Sequence, residues 1–344
     1  ELERAVQIAL AVSPVQQAVV EKSLAGSKRT EWEIVRDGRD NVRAVGCIEY
    51  IEPLGIHSAD SPAVLPVQSL RPDEAKAAQA LACQAVRRLQ LTGTATVQLA
   101  HCGGQGALAV VSVTPRVTRT TVWCARFTGL PLIEWHVRLS AGQPLDALVA
   151  GTACAAPDAQ AIEADKCWCR LPLFPGTRLM RQGEELTTYT KSIGGVAGAG
   201  HDFISALQRA IAAGGLPPLG PGGAMPKDIA AAGLDELRTK LKNATPLRLW
   251  QAYRALQLGA GAGEIHEITG IAAHFLERLC ELQAFERRWV SLQPRDLVAR
   301  STVGRDVLIE AKQSGCGDEQ LARSLNIEEK RLHEHRAERG VVPR

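Results

Sequence analysis

The window 214–226 reads GGLPPLGPGGAMP, five glycines and four prolines in thirteen residues. No helix interior or central strand tolerates such a run, so the chain is expected to divide there, with 214–227 as a linker. The two sides differ in pattern. Upstream, the segments 42–50, 94–100 and 107–113 are short, rich in β-branched residues and bounded by polar or glycine turns, the signature of strands. Between the first two, Pro72, Asp73 and Glu74 open a helix that places Ala75, Ala78, Leu81, Ala82, Ala85, Val86 and Leu89 on one stripe. Asp202 is a good N-cap for a further helix through Phe203, Ala206, Leu207, Ala210 and Ile211, stopped by Gly214 and Gly215. Downstream, the segments 234–241, 247–258, 271–289, 305–313, 319–324 and 328–339 all carry helical spacing. The expectation is an α+β unit over 1–213 and an all-α unit over 228–344.

With 344 residues, 45% hydrophobic and 22% charged, each unit can bury a core of its own. Forty basic against 37 acidic side chains leave a net charge of +3, which gives no electrostatic case for nucleic acid or an anionic membrane; a phosphate-bearing partner needs a local site. No run approaches the roughly 18 apolar residues of a bilayer helix and no charged-then-apolar leader precedes the first globular pattern, so a cytoplasmic protein is expected. Nine scattered cysteines fit reduced thiols. Cys154, Cys167 and Cys169 lack zinc spacing, and His333 and His335 fall on different helix faces. GGVAGAG at 194–200 imitates a dinucleotide loop, but the glycine order is wrong and no ribose-binding acid follows.

The run EWEIVRDGRDNVRAVGCIEYIEPLGIHSADSPAVLPVQSL at 31–70, with PRVTRTT at 115–121, resembles the carboxyphosphate half of the carbamoyl-phosphate synthetase large subunit. In the helical part LRTKLKNATPLRLWQAYRALQLG at 237–259, EIHEITGIAAHFLERL at 264–279 and EAKQSGCGDEQLARSLNIEEKRLHEHR at 310–336 resemble the oligomerisation domain of the same family. The resemblance implies the C-terminal part of an ATP-grasp domain followed by a helical domain that folds by itself and carries self-association. It places the family's phosphate-covering glycine-rich loop before Glu1, so that the chain should not complete the reaction alone. In the family, ATP phosphorylates bicarbonate, ammonia from glutamine attacks the carboxyphosphate, and a second ATP phosphorylates the carbamate.

By that resemblance Leu24, Gly55, Ile56, His57 and Gln98 line the nucleotide pocket, and Arg116 and Arg119 face the reacting oxyanions as planar forks. Thr118, Thr120 and Thr121 keep hydroxyls where the family has serines. Four positions depart. The magnesium or manganese ligands of the family, a Gln with a Glu and an Asn on the next strand, become Gln98 with Ser112 and Thr114, and a ribose-binding Glu becomes Arg29. KSIGG at 191–195 matches a family turn, with Gly195 in place of an acid. The cofactor implied is ATP, with the metal's grip weakened. The implied partners are the remaining synthetase parts, a glutamine amidotransferase subunit and further copies of the chain, in a pathway to arginine or pyrimidines. The alternative reading is a catalytically degenerate pseudoenzyme that binds nucleotide or anion, or serves assembly.

Overall fold

The structure, a computed structural model, describes residues 2–103, 107–151, 166–175, 184–291 and 304–342. After a short helix, α1 (Leu2–Val12), seven strands form one sheet: β1 (Lys28–Arg36), β2 (Val42–Tyr50), β3 (Ala63–Leu65), β4 (Gly93–His101), β5 (Leu108–Thr114), β6 (Cys167–Leu173) and β7 (Gly194–Gly200). Their order is β5-β4-β1-β2-β3-β6-β7, every neighbouring pair antiparallel. β1 lies between β2 and β4 and is covered on both faces, so its alternation sorts side chains between two cores. Trp32 and Ile34 pack with Ala78, Ala82 and Val86 of α2 (Pro72–Arg88). Val35 turns the other way, with Val45, Ile48 and Tyr50 of β2, against α3 (Arg119–Thr128), α4 (Leu132–Ser140) and α5 (Leu145–Ala150).

The GGVAGAG segment, whose first two glycines close the KSIGG run expected as a turn, is strand β7, paired with β6 from Cys167↔Gly200 to Leu173↔Gly194. Glycine is a poor strand former, which hid it. Its role is steric. α6 (Phe203–Ala213) lies directly on β7, and a Cβ at Gly198 would stand 2.3 Å from the Ala206 carbonyl oxygen and from the Ala210 nitrogen. Asp202 caps α6 as expected, its carboxylate accepting from the Ser205 N–H at 2.8 Å.

The glycine- and proline-rich segment is not a free tether. Gln208 and Gln320 each donate Nε2 to the Leu219 carbonyl, at 2.6 and 2.7 Å, and Trp250 donates its indole N–H to the Pro217 carbonyl at 2.8 Å. The described chain beyond it is helical: α7 (Lys227–Ala230), α8 (Leu234–Leu241), α9 (Arg248–Gln257), α10 (Ala262–Thr269), α11 (Ala273–Ser291), α12 (Arg305–Gln313), α13 (Asp318–Leu325) and α14 (Glu329–Glu338). One apolar core crosses the segment, joining Cys169 and Leu171 of β6 and Phe203 and Leu207 of α6 to Tyr253, Phe275 and Trp289. Cys167 and Cys169, two residues apart on β6, are both buried within that core, and Cys154 lies outside the described residues. Glu52, just after β2, forms a buried ion pair with Arg248 of α9 at 2.7 Å, tying sheet to helices.

Candidate functional site

A cleft of about 810 Å³ opens where β1, β2, β4 and β5 meet the loop after β2 and the start of α3. Gly55, Ile56, His57, Gln98, Ser112, Thr114, Arg116 and Arg119, separated by up to 64 positions in sequence, all line it. Leu24 is not among the lining residues; it sits in the turn before β1, its carbonyl accepting from the Ser27 N–H at 3.1 Å.

The alternation of β1 sends Arg29, Glu31 and Glu33 to the face opposite Trp32. Glu31 lies at the floor. One of its oxygens accepts from Gln98 Nε2 at 2.9 Å, the other from Thr120 Oγ1 at 2.7 Å and from the Tyr50 hydroxyl at 2.8 Å. Gln98 stands opposite Ser112 in the β4–β5 register, and the next pair is Leu99↔Val110, so β5 carries one extra residue here. Such a bulge re-aims side chains beside a site.

Two arginines fasten the loop that carries His57. Arg29 donates Nη1 to the Ile56 carbonyl at 2.7 Å, and Arg170 of β6 donates Nη2 to the carbonyls of Ser58 and Ser61 at 2.7 and 3.0 Å. Gly55 takes φ of 115°, a conformation that side-chain-bearing residues rarely adopt, and so lets the chain turn into the cleft. Asp60 accepts from the Lys191 and Ser192 N–H groups at 2.7 and 2.9 Å, which holds the KSIGG turn and Gly195 to the same loop. The Nδ1 of His57 accepts the Ala59 N–H at 3.1 Å, leaving Nε2 as the ring's donor. Burial lowers its pKa, so the neutral ring prevails at pH 7.

α3 begins on the cleft wall. Thr118 caps it, its Oγ1 accepting from the Thr121 N–H at 3.3 Å, and Arg119 is the first helical residue. The helix thus adds its positive end to the guanidinium beside it. Glu31, Tyr50 and Arg170 were not singled out from the sequence. The one signal for Glu31 is the EWE triplet, two acids flanking a large apolar residue, which on a buried strand sends both carboxylates to one interior face.

Glu33 lies behind Glu31 and accepts from Thr96 and Thr121 hydroxyls, each at 2.8 Å. Burial pushes its carboxyl up to about 7, the two hydroxyl donors opposing and Glu31 adding to the rise. A proton held in the native state and released in the unfolded one above the ordinary 4.5 gives stability that is full below that value and lost as pH climbs through about 7. Thermal melts from pH 5 to 8 should show the chain losing on the order of 3 kcal/mol across this interval, while Glu33→Gln stays level. Parallel profiles for the two would mean that Glu33 does not carry the effect.

Sheet, cleft and helical half define an ATP-grasp fragment joined to an all-helical domain. Residues 1–148 match the family model for the carbamoyl-phosphate synthase L chain, ATP binding domain, and residues 196–340 that for the carbamoyl-phosphate synthetase large chain, oligomerisation domain. The chain belongs to the carbamoyl-phosphate synthase large-chain family. Over its whole length it is 30% identical to the carbamoyl phosphate synthase large chain, N-terminal section, of Aquifex aeolicus, covering 60% of that protein. It is 29% identical to the large chain of Nostoc sp., covering 30% of it, and 30% identical over 99% of its length to the N-terminal section of Methanopyrus kandleri, covering 61% of that protein. Among solved structures, the biotin carboxylase of Campylobacter jejuni is similar at 11% identity with a TM-score of 0.45, over 80% of this chain and 59% of that one.

Proposed function

We propose that the chain serves as a segment of a carbamoyl-phosphate synthase large subunit whose cleft binds the phosphate groups of a nucleotide with little call on a divalent metal, and whose helical half joins it to the other parts of the synthase and to further copies of itself. The observation that carries this reading is the charge of the cleft. Among its described lining residues, Arg29, Arg116, Arg119 and Arg170 face one carboxylate, Glu31.

The donor set does not suit magnesium or manganese. Both oxygens of Glu31 already accept hydrogen bonds, and Ser112 and Thr114 offer neutral hydroxyls beside Gln98. A hard dication wants several oxygen ligands with anionic charge among them, and the surrounding guanidinium groups repel it. Phosphoryl transfer in this family of folds depends on neutralising charge as it develops. A cleft that holds phosphate but grips metal poorly fits the catalytically degenerate reading better than an active one.

Arg119 and Arg116 are the cleft's outer cations. Arg116 already donates Nη1 to the Val117 carbonyl at 3.1 Å, which leaves Arg119 the less committed of the two. Calorimetry with ADP should show Arg119→Ala weakening binding by about 1.5 to 3 kcal/mol, the range of a charge-assisted hydrogen bond, and Arg116→Ala weakening it less. If both variants bind as the unaltered chain does, the cleft is not the nucleotide site.

A further inference from the structure

Arg29 is 2% exposed, yet only part of its guanidinium is used. Nη1 reaches the Ile56 carbonyl, while Nε and Nη2 are buried without a hydrogen-bond partner among the described residues. Donors left unmade on a buried cation are costly, and native interiors avoid them unless the group has another use. The neighbouring carboxylate does not meet the need, because the oxygens of Glu31 are taken by Gln98, Thr120 and Tyr50. The Tyr50 ring, with its centroid 4.2 Å from the guanidinium carbon, offers a π face and no lone-pair acceptor. Glu31 and Glu52 attract the Arg29 guanidinium and Arg170 repels it, yet neither carboxylate accepts from its free N–H groups.

We propose that Arg29 is a ligand-binding residue: a polyanion of the pyrophosphate class enters the cleft and takes the two free N–H groups of Arg29, its charge balanced by guanidinium groups in place of a divalent ion. This deepens the anion-cleft reading above and rests on it. The planar fork of arginine suits two oxygens of a phosphate chain, and a lysine in its place would offer only a point charge. Both free N–H groups are closed from solvent in the structure, so the arriving anion must displace the groups that cover them. Inorganic pyrophosphate and the diphosphate of a nucleotide share this chemistry.

The test is calorimetry on the whole chain in EDTA, titrated with sodium pyrophosphate, with ADP and with adenosine, for the unaltered protein and for Arg29→Met, Arg29→Lys and Arg119→Ala, each shown by its melt to be folded. Pyrophosphate should bind without metal, Arg29→Met should lose about tenfold to a hundredfold in affinity, and Arg29→Lys should recover part of that. ADP binding that Arg29→Met weakens, with adenosine silent, would place the nucleotide's diphosphate on Arg29; pyrophosphate binding that Arg29→Met weakens, with ADP silent, would assign the site to the free anion. Loss in Arg119→Ala with full binding in Arg29→Met would leave the anion cleft standing and overturn the role of Arg29. Failure of both pyrophosphate and ADP to bind the unaltered chain would overturn both. Should the Arg29 variants not fold, the Arg29 Nε–H resonance of the 15N-labelled protein decides: it should move on titration with pyrophosphate, and a resonance that stays put overturns the proposal.

Discussion

Gly198→Ala is expected to cost at least about 3 kcal/mol, the upper end of the range for overpacking, from the addition of one methyl group. The added carbon would meet the Ala206 carbonyl oxygen and the Ala210 nitrogen at 2.3 Å, and both atoms belong to the backbone of α6. A side chain could rotate away from such a clash, but a helix backbone has to move as a body. α6 cannot retreat, because Phe203, Leu207 and Ile211 are buried in the core that joins it to the helical half. Gly194→Ala supplies the comparison. It lies in the same strand with nothing within 4 Å of the added carbon, and it should leave the melt unchanged. Equal melts for the two variants would mean that β7 and α6 are not packed this closely.

Arg248→Met should destabilise the chain by about 3 to 5 kcal/mol, because it leaves a buried carboxylate without its partner. The pair is closed from water, with 5% and 6% of the two side chains exposed, and Arg248 also donates Nε and Nη2 to the Leu241 carbonyl at 3.0 and 2.7 Å. Burial raises the pKa of Glu52 while Arg248 holds it down. Removing the cation therefore leaves Glu52 free to take up a proton, and the double variant with Glu52→Gln should regain part of the loss. Chemical denaturation of the three proteins measures this. A single variant within 1 kcal/mol or so of the parent would place the pair in water and not in the joint between sheet and helices.

What the sequence made legible follows from the range of the interactions involved. The helices at 72–88, 203–213, 234–241 and 305–313 are local objects, each with a stripe and an end signal, and they stand within a few residues of where the pattern put them. β1 and β6 were not read as strands at all, since Lys28–Arg36 carries charged side chains at 28, 29, 31, 33 and 36 and owes its place to partners at 42–50 and 93–101. GGVAGAG failed for the opposite reason: its composition is set by the helix that lies on it. The 214–226 window does break regular structure as its glycines and prolines require, but its carbonyls are held by Gln208, Trp250 and Gln320, which only the folded chain brings together.

The cleft divides in the same way. Gly55, Ile56, His57, Gln98, Arg116 and Arg119 came from a family resemblance, and the fold brings them to one cleft. Arg170, which fixes the His57 loop from a strand more than a hundred residues away, had no local signature. Nor did the state of Arg29. Its residue type was evident as a departure from the family, whereas its free N–H groups depend on how Glu31 is shared among three donors.

The central claim is that guanidinium groups, and not a dication, balance the charge of whatever phosphate chain this cleft holds. It is tested most directly by titrating ADP into the chain by calorimetry in EDTA and again at saturating magnesium. The account predicts binding in both, with affinities that agree closely. A magnesium-dependent gain of an order of magnitude that disappears in Gln98→Ala would contradict it, because a working metal site would then stand on Gln98, Ser112 and Thr114 after all.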